Sequence, residues 1–98
     1  MQKVTPFILV RHCALLIEEA EALCQALELV EEQTGVSPID VLGGSRLKHI
    51  ARARQMVMYE ARKLGPSYPA IGRGLGRHHT TVIFGCRAEA QRRGEVCP

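Results

Sequence analysis

From Phe7 to Thr34 the chain runs for 28 residues without a glycine or a proline, bracketed by Pro6 and Gly35. So long an uninterrupted stretch exceeds any ordinary strand, and its hydrophobic spacing decides what it forms. Leu9, Cys13, Leu16, Ala20, Leu23, Leu27 and Val30 alternate steps of four and three, the seam of one long amphipathic helix. Thr5 before Pro6 supplies the start, since threonine caps free amides and proline at the first helical position gives up a donor that had no partner. The fold must bury this seam, either against the rest of the chain or against the same helix of a second copy in a homodimer. The outer face carries glutamates, which disfavours a membrane surface as the partner.

Glycine and proline punctuate the remainder. Ser37 followed by Pro38 and Asp40 repeats the start signal, and the run Gly43, Gly44, Ser45 ends the short helix it opens. The stretch "RLKHIARARQMVMYEARKL" then predicts a longer helix with Ile50, Val57, Ala61 and Leu64 on one face and Met58 beside it. Met56 and Met58 read as core filler rather than as a ligand box. After a break at Gly65, Pro66 and Ser67, a short helix is predicted from about residue 67 to 75 and a last one from near His78 to about Arg93, with Gly76 between them. Gly72 and Gly74 inside the first of this pair read as close packing at a helix crossing. Two helices joined by a tight glycine turn, the second opening on small polar residues, form the helix-turn-helix pattern. The tail "GEVCP" reads as frayed. With no tryptophan, two phenylalanines and two tyrosines, the core must be aliphatic, and the fold class is all-α.

Charge divides the chain at the "TGVSP" turn. Residues 1–36 hold two cations against six glutamates, a net of −4, whereas residues 37–98 hold eleven cations against four carboxylates, a net of +7. A basic segment of that density faces a polyanion. Four cysteines, at positions 13, 24, 86 and 97, show no C-x-x-C spacing, and no histidine pair follows at zinc-finger spacing. The apolar run "FILV" stops at Arg11, short of a signal core or a membrane span, so the expectation is a cytoplasmic protein with reduced thiols.

The stretch "GRHHTTVI" at residues 76–83 carries the chemistry. Adjacent histidines do not share a helical face as His-x-x-x-His does, and no carboxylate lies nearby to orient them, which argues against a metal or acid/base site. Placed at the start of the last helix, Thr80 and Thr81 lie among amides without intrahelical partners, where a phosphate or a base edge can be gripped. Arg77 and His78 lie in the turn, and His79 precedes the threonines. Cys86 shares a face with Val82 and reads as a small core residue, not a nucleophile.

From about Ser37 to Arg93 the chain resembles the C-terminal DNA-binding domain of the bacterial replication initiator DnaA. "ARARQMVMYEARKL" resembles that family's long helix, "YPAIGRGLG" its first helix-turn-helix helix, and "HTTV" with the later "CR" its recognition helix. The resemblance implies that His79, Thr80 and Thr81 read bases and grip phosphate in the major groove. It implies that Arg46, in the loop ahead of the long helix, enters the adjacent minor groove, and that Arg54 and Gln55 contact phosphates. Lys48, Arg52, Arg62 and Lys63 join the candidate set on charge and position. His78 stands where the family usually has an aspartate, Ala53 where a proline is common, and the loop at "LGPSYP" and the turn before Arg77 are about one residue shorter.

The expectation is an all-α, DnaA-like helix-turn-helix bundle: a long N-terminal amphipathic helix over residues 1–36 that packs or dimerises, and a DNA-binding domain over residues 37–98. No P-loop is present, so no nucleotide, cofactor or metal is expected. The partner is double-stranded DNA, bound sequence-specifically, in the service of transcription or replication control rather than catalysis. The alternative is a protein-interaction module, or a non-specific DNA binder whose acidic helix engages a partner.

Overall fold

The structure, a computed structural model, describes residues 16–98. Helix α1 spans Ile17–Thr34, α2 Pro38–Leu42, α3 Lys48–Lys63, α4 Tyr68–Leu75 and α5 His79–Arg93; among the described residues there is no strand. The helix start expected at Thr5 and Pro6, with seam positions Leu9 and Cys13, lies outside the described residues.

Each helix boundary has a local cause. Glu19 reaches back to accept the Leu16 amide at 3.0 Å at the start of α1. Ser37 caps α2 and Ser67 caps α4 by accepting an amide three residues on, each at 3.3 Å. Gly76 closes α4 in the left-handed region, at φ 68°, where a side chain would be strained. That turn lets α5 leave at a new angle only three residues later.

The core is aliphatic, as the composition requires. Leu23, Leu27 and Val30 of α1 pack with Val41 of α2, Ile50, Val57, Met58 and Ala61 of α3, Ile71 and Leu75 of α4, and Val82 and Cys86 of α5. Ala20, Leu23, Leu27 and Val30 are thus buried within this chain and are not available to a second copy. Helix α3 packs against both α1 and α5, which make little contact with each other. Two face residues depart from expectation: Leu16 is exposed where it caps the start of α1, and Leu64 is half exposed, because it is the residue that ends α3 and the chain turns away there.

Two glycines set the helix spacing around the turn. A Cβ on Gly72 would lie 2.5 Å from the Arg77 carbonyl oxygen, so α4 and the segment entering α5 approach too closely for any other residue. A Cβ on Gly85 would meet the Met58 sulfur, at the crossing of α5 over α3. The far ends of these two helices are tied by charge. Arg93 of α5 donates to Glu89 at 2.7 Å and to Glu60 of α3 at 2.6 Å, and its guanidinium lies 4.5 Å from the centre of the Tyr59 ring.

Candidate nucleic-acid interface

A groove of about 480 Å³ runs between the loop ahead of α3 and the start of α5. Gly44, Ser45 and Arg46 form one wall; Arg77, Thr81 and Phe84 form the other; Arg54, Gln55 and Met58 of α3 form the floor. Arg46 and Thr81 are both exposed, as are His78, His79 and Thr80 just before Thr81 in the chain. Beside it, a second depression joins Arg46, Lys48, Arg52 and Gln55 to Arg92.

The loop is held in place from below. Arg54 is buried, unlike its exposed neighbour Arg52. Its Nε donates to the Val41 carbonyl at 2.8 Å, and one terminal nitrogen donates to the Gly43 and Ser45 carbonyls at 3.0 and 3.2 Å. Arg77 donates to the same Gly43 carbonyl at 2.9 Å, which ties the turn before α5 to the loop that bears Arg46. Burial, and then the nearby Arg77 charge, pull the Arg54 guanidinium below its ordinary pKa.

The start of α5 is capped by histidine. His78 has extended backbone, and its Nδ1 accepts the Thr80 amide at 3.3 Å. The same nitrogen lies 2.7 Å from the Thr80 hydroxyl, and the His78 and His79 rings stand 4.3 Å apart. Side chains at the tip of α5 are therefore ordered by one another before any ligand arrives.

Of the candidates drawn from the sequence, Arg46, Lys48, Arg52, Arg54, Gln55, Arg77 and Thr81 line this groove or its neighbour, and His78, His79 and Thr80 directly precede Thr81 in the chain. Arg62 and Lys63 stand apart, in the last turn of α3. Arg62 lies 5.0 Å from the centre of the Tyr68 ring, and Lys63 is 3.9 Å from Glu60. Two residues absent from the sequence-based set belong here. Phe84 is 68% exposed one turn beyond Thr80 and Thr81 on the same face of α5, and Arg92 donates to Gln55 at 2.6 Å. An apolar residue at helical spacing ordinarily signals core, so Phe84 carried no distinguishing mark.

Among the described residues, no group of three or more His, Cys, Asp or Glu is placed to hold a metal ion, and no helix is long and apolar enough to cross a membrane. Burial pushes the Cys86 thiol up to about 12 and the Cys24 thiol to about 11, which leaves both protonated and inert.

A short helix, a glycine turn and a second helix presenting exposed polar residues at its start, flanked by a basic loop, define a helix-turn-helix DNA-binding domain. The chain belongs to the bacterial DnaA helix-turn-helix family, whose model matches residues 25–88. It is 47% identical over 60 residues to the chromosomal replication initiator protein DnaA of Cereibacter sphaeroides, a match covering 59% of this chain and 13% of that protein. The corresponding proteins of Picosynechococcus sp. and Neisseria meningitidis are 44% identical over 62 residues and 48% over 58, covering 61% and 57% of this chain. The chain thus spans only 11 to 14% of the length of these relatives. No solved structure matches it.

Proposed function

We propose that this chain binds double-stranded DNA sequence-specifically, with the start of α5 in the major groove and Arg46 in the adjacent minor groove, and that it regulates transcription or replication at sites of the initiator's kind. What supports the reading is that Arg46 and Thr81 line one groove, with Thr80 exposed beside Thr81 at the start of α5. A sugar-phosphate strand separates a major from a minor groove, and the groove offers such a strand Arg46, Gln55 and Arg77 beside the apolar surface of Met58 and Phe84. Gln55 and Arg77 are the phosphate contacts at its floor and wall, with Lys48 and Arg52 beyond the loop. Arg54 serves by holding the loop, since three carbonyls engage its guanidinium.

The relatives' names speak of chromosomal replication initiation, and this chain corresponds to a small part of them. The activity proposed for this region is site-directed binding, in competition with an initiator or as a regulator in its own right. Since Ala20, Leu23, Leu27 and Val30 of the α1 seam are buried in the chain's own core, any homodimer must form through other residues, among which the exposed Leu16 remains.

Fluorescence anisotropy against a duplex carrying a DnaA box and a scrambled duplex, each at two salt concentrations, tests the reading. The box should bind more tightly, and Thr80→Ala and Arg46→Ala should each lose about 1 to 3 kcal/mol of specific binding. An unchanged ratio of specific to non-specific affinity in both variants overturns the assigned readout.

A further inference from the structure

We infer that the cap at the start of α5 fixes the hydrogen-bonding polarity of the reading edge: His78 Nε2 presents a donor, Thr80 Oγ1 presents an acceptor, and the chain therefore selects guanine opposite His78. This rests on the proposed placement of α5 in the major groove.

A backbone N–H can only donate. The Thr80 amide lies 3.3 Å from His78 Nδ1 in capping geometry, so that nitrogen must offer its lone pair. A neutral imidazole with an unprotonated Nδ1 carries its proton on Nε2. The Thr80 hydroxyl oxygen, 2.7 Å from the same Nδ1, faces a lone pair and so directs its own hydrogen there. That leaves the outward lone pairs of Oγ1 as acceptors only. Both side chains are exposed, and the His79 ring, 4.3 Å from that of His78, limits the imidazole's swing. The two groups thus present an ordered donor and acceptor to whatever α5 meets.

Base edges in the major groove discriminate between these polarities. Guanine offers two acceptors, N7 and O6, and no donor, whereas adenine and thymine each offer a single acceptor and cytosine only its N4 donor, so guanine suits His78 Nε2–H best. Thr80 Oγ1 accepts from an amino group, which only adenine or cytosine supplies there. A carboxylate in place of His78 would keep the cap, because aspartate is among the best N-cap residues, and would reverse the polarity.

The test selects binding sites from a random duplex library with the wild type and with His78→Asp, then measures both proteins on the two selected duplexes. The wild type should select guanine at one position where His78→Asp selects cytosine or adenine. Each protein should prefer its own duplex by about tenfold, the value of one good base contact. Imidazole ¹⁵N spectra of the free wild type should show Nδ1 unprotonated and Nε2 carrying the proton. Selection of the same base by both proteins, or a proton resident on Nδ1, overturns the inference while leaving sequence-specific binding intact. If the wild type selects no sequence at all, the proposed function falls and this inference with it.

Discussion

Two arginines eight positions apart illustrate how differently one residue type is used. Arg46 projects from its loop, whereas Arg54 lies beneath that loop with its planar fork on the carbonyls of Val41, Gly43 and Ser45. Charge-assisted hydrogen bonds of this kind contribute about 1.5 to 3 kcal/mol each at most, and removing the donor strands buried acceptors. Arg54→Lys should therefore destabilise the fold by about 2 kcal/mol, because an ammonium is a point donor and cannot span three carbonyls. Urea unfolding gives the answer: a midpoint equal to the wild type's would show that the loop does not depend on the fork. Phe84 poses the opposite case. It is 68% exposed, so Phe84→Ala should leave stability within about 0.5 kcal/mol of the wild type. Its ring nevertheless lines the groove with Thr81 and Arg46, where an apolar surface suits a thymine methyl. Loss of about tenfold in affinity for the selected duplex, with an unchanged unfolding midpoint, is the expected result for this variant. Unaltered binding would place Phe84 outside the interface.

At the scale of helices, the angle between α4 and α5 and the approach of α5 to α3 depend on what two glycines leave empty. Alanine gains about 1 kcal/mol of helix propensity over glycine, so the sign of each substitution depends on what its Cβ meets. At Gly72 it meets the Arg77 carbonyl at 2.5 Å, a backbone atom in the turn that aims α5. At Gly85 it meets the end of the Met58 side chain, which can move, and Gln55 Cγ at 3.3 Å. Gly72→Ala should cost more than 1 kcal/mol net and disturb DNA binding, whereas Gly85→Ala should stay within about 1 kcal/mol of the wild type. Thermal unfolding of the pair decides it; equal losses would mean that the Met58 side chain is as rigid as the turn. The sequence marks these helices clearly, because serine caps, prolines and glycines act through neighbours two to four residues away. Ser37, Ser67 and Gly76 act where such local rules place them, and Gly72 reads as a close contact for the same reason. Arg54 escapes that reading, since its partners lie 9 to 13 residues back along the chain and exist only once the loop folds over α3. The cap at His78 escapes it as well, because histidine is not a customary cap and only the coordinates give its Nδ1 a partner. Leu64 looks like a core residue by spacing, but helical spacing ceases to govern where the helix ends.

Over the whole molecule, charge is laid out in order across the bundle. Glu21, Glu28 and Glu32 are exposed on α1, which makes little contact with α5, and the basic loop and turn lie around the groove at the start of α5. The arrangement is dipolar, so the acidic face is repelled by DNA while the opposite face is drawn in, which favours productive encounters. Two quantities separate orientation from contact. The slope of log affinity against log salt counts the phosphates neutralised in the complex, and about five such contacts give a value near −4 to −5. The level of affinity at low salt, in contrast, also responds to charges that never touch the duplex, within a screening length of about 10 Å at 0.1 M salt. Replacing Glu21, Glu28 and Glu32 together by glutamine should therefore raise low-salt affinity for specific and scrambled duplexes alike, with the slope unchanged. A slope altered by one or more would mean that these carboxylates sit at the DNA or mask its contacts, and α1 would then have to be placed at the interface rather than behind it.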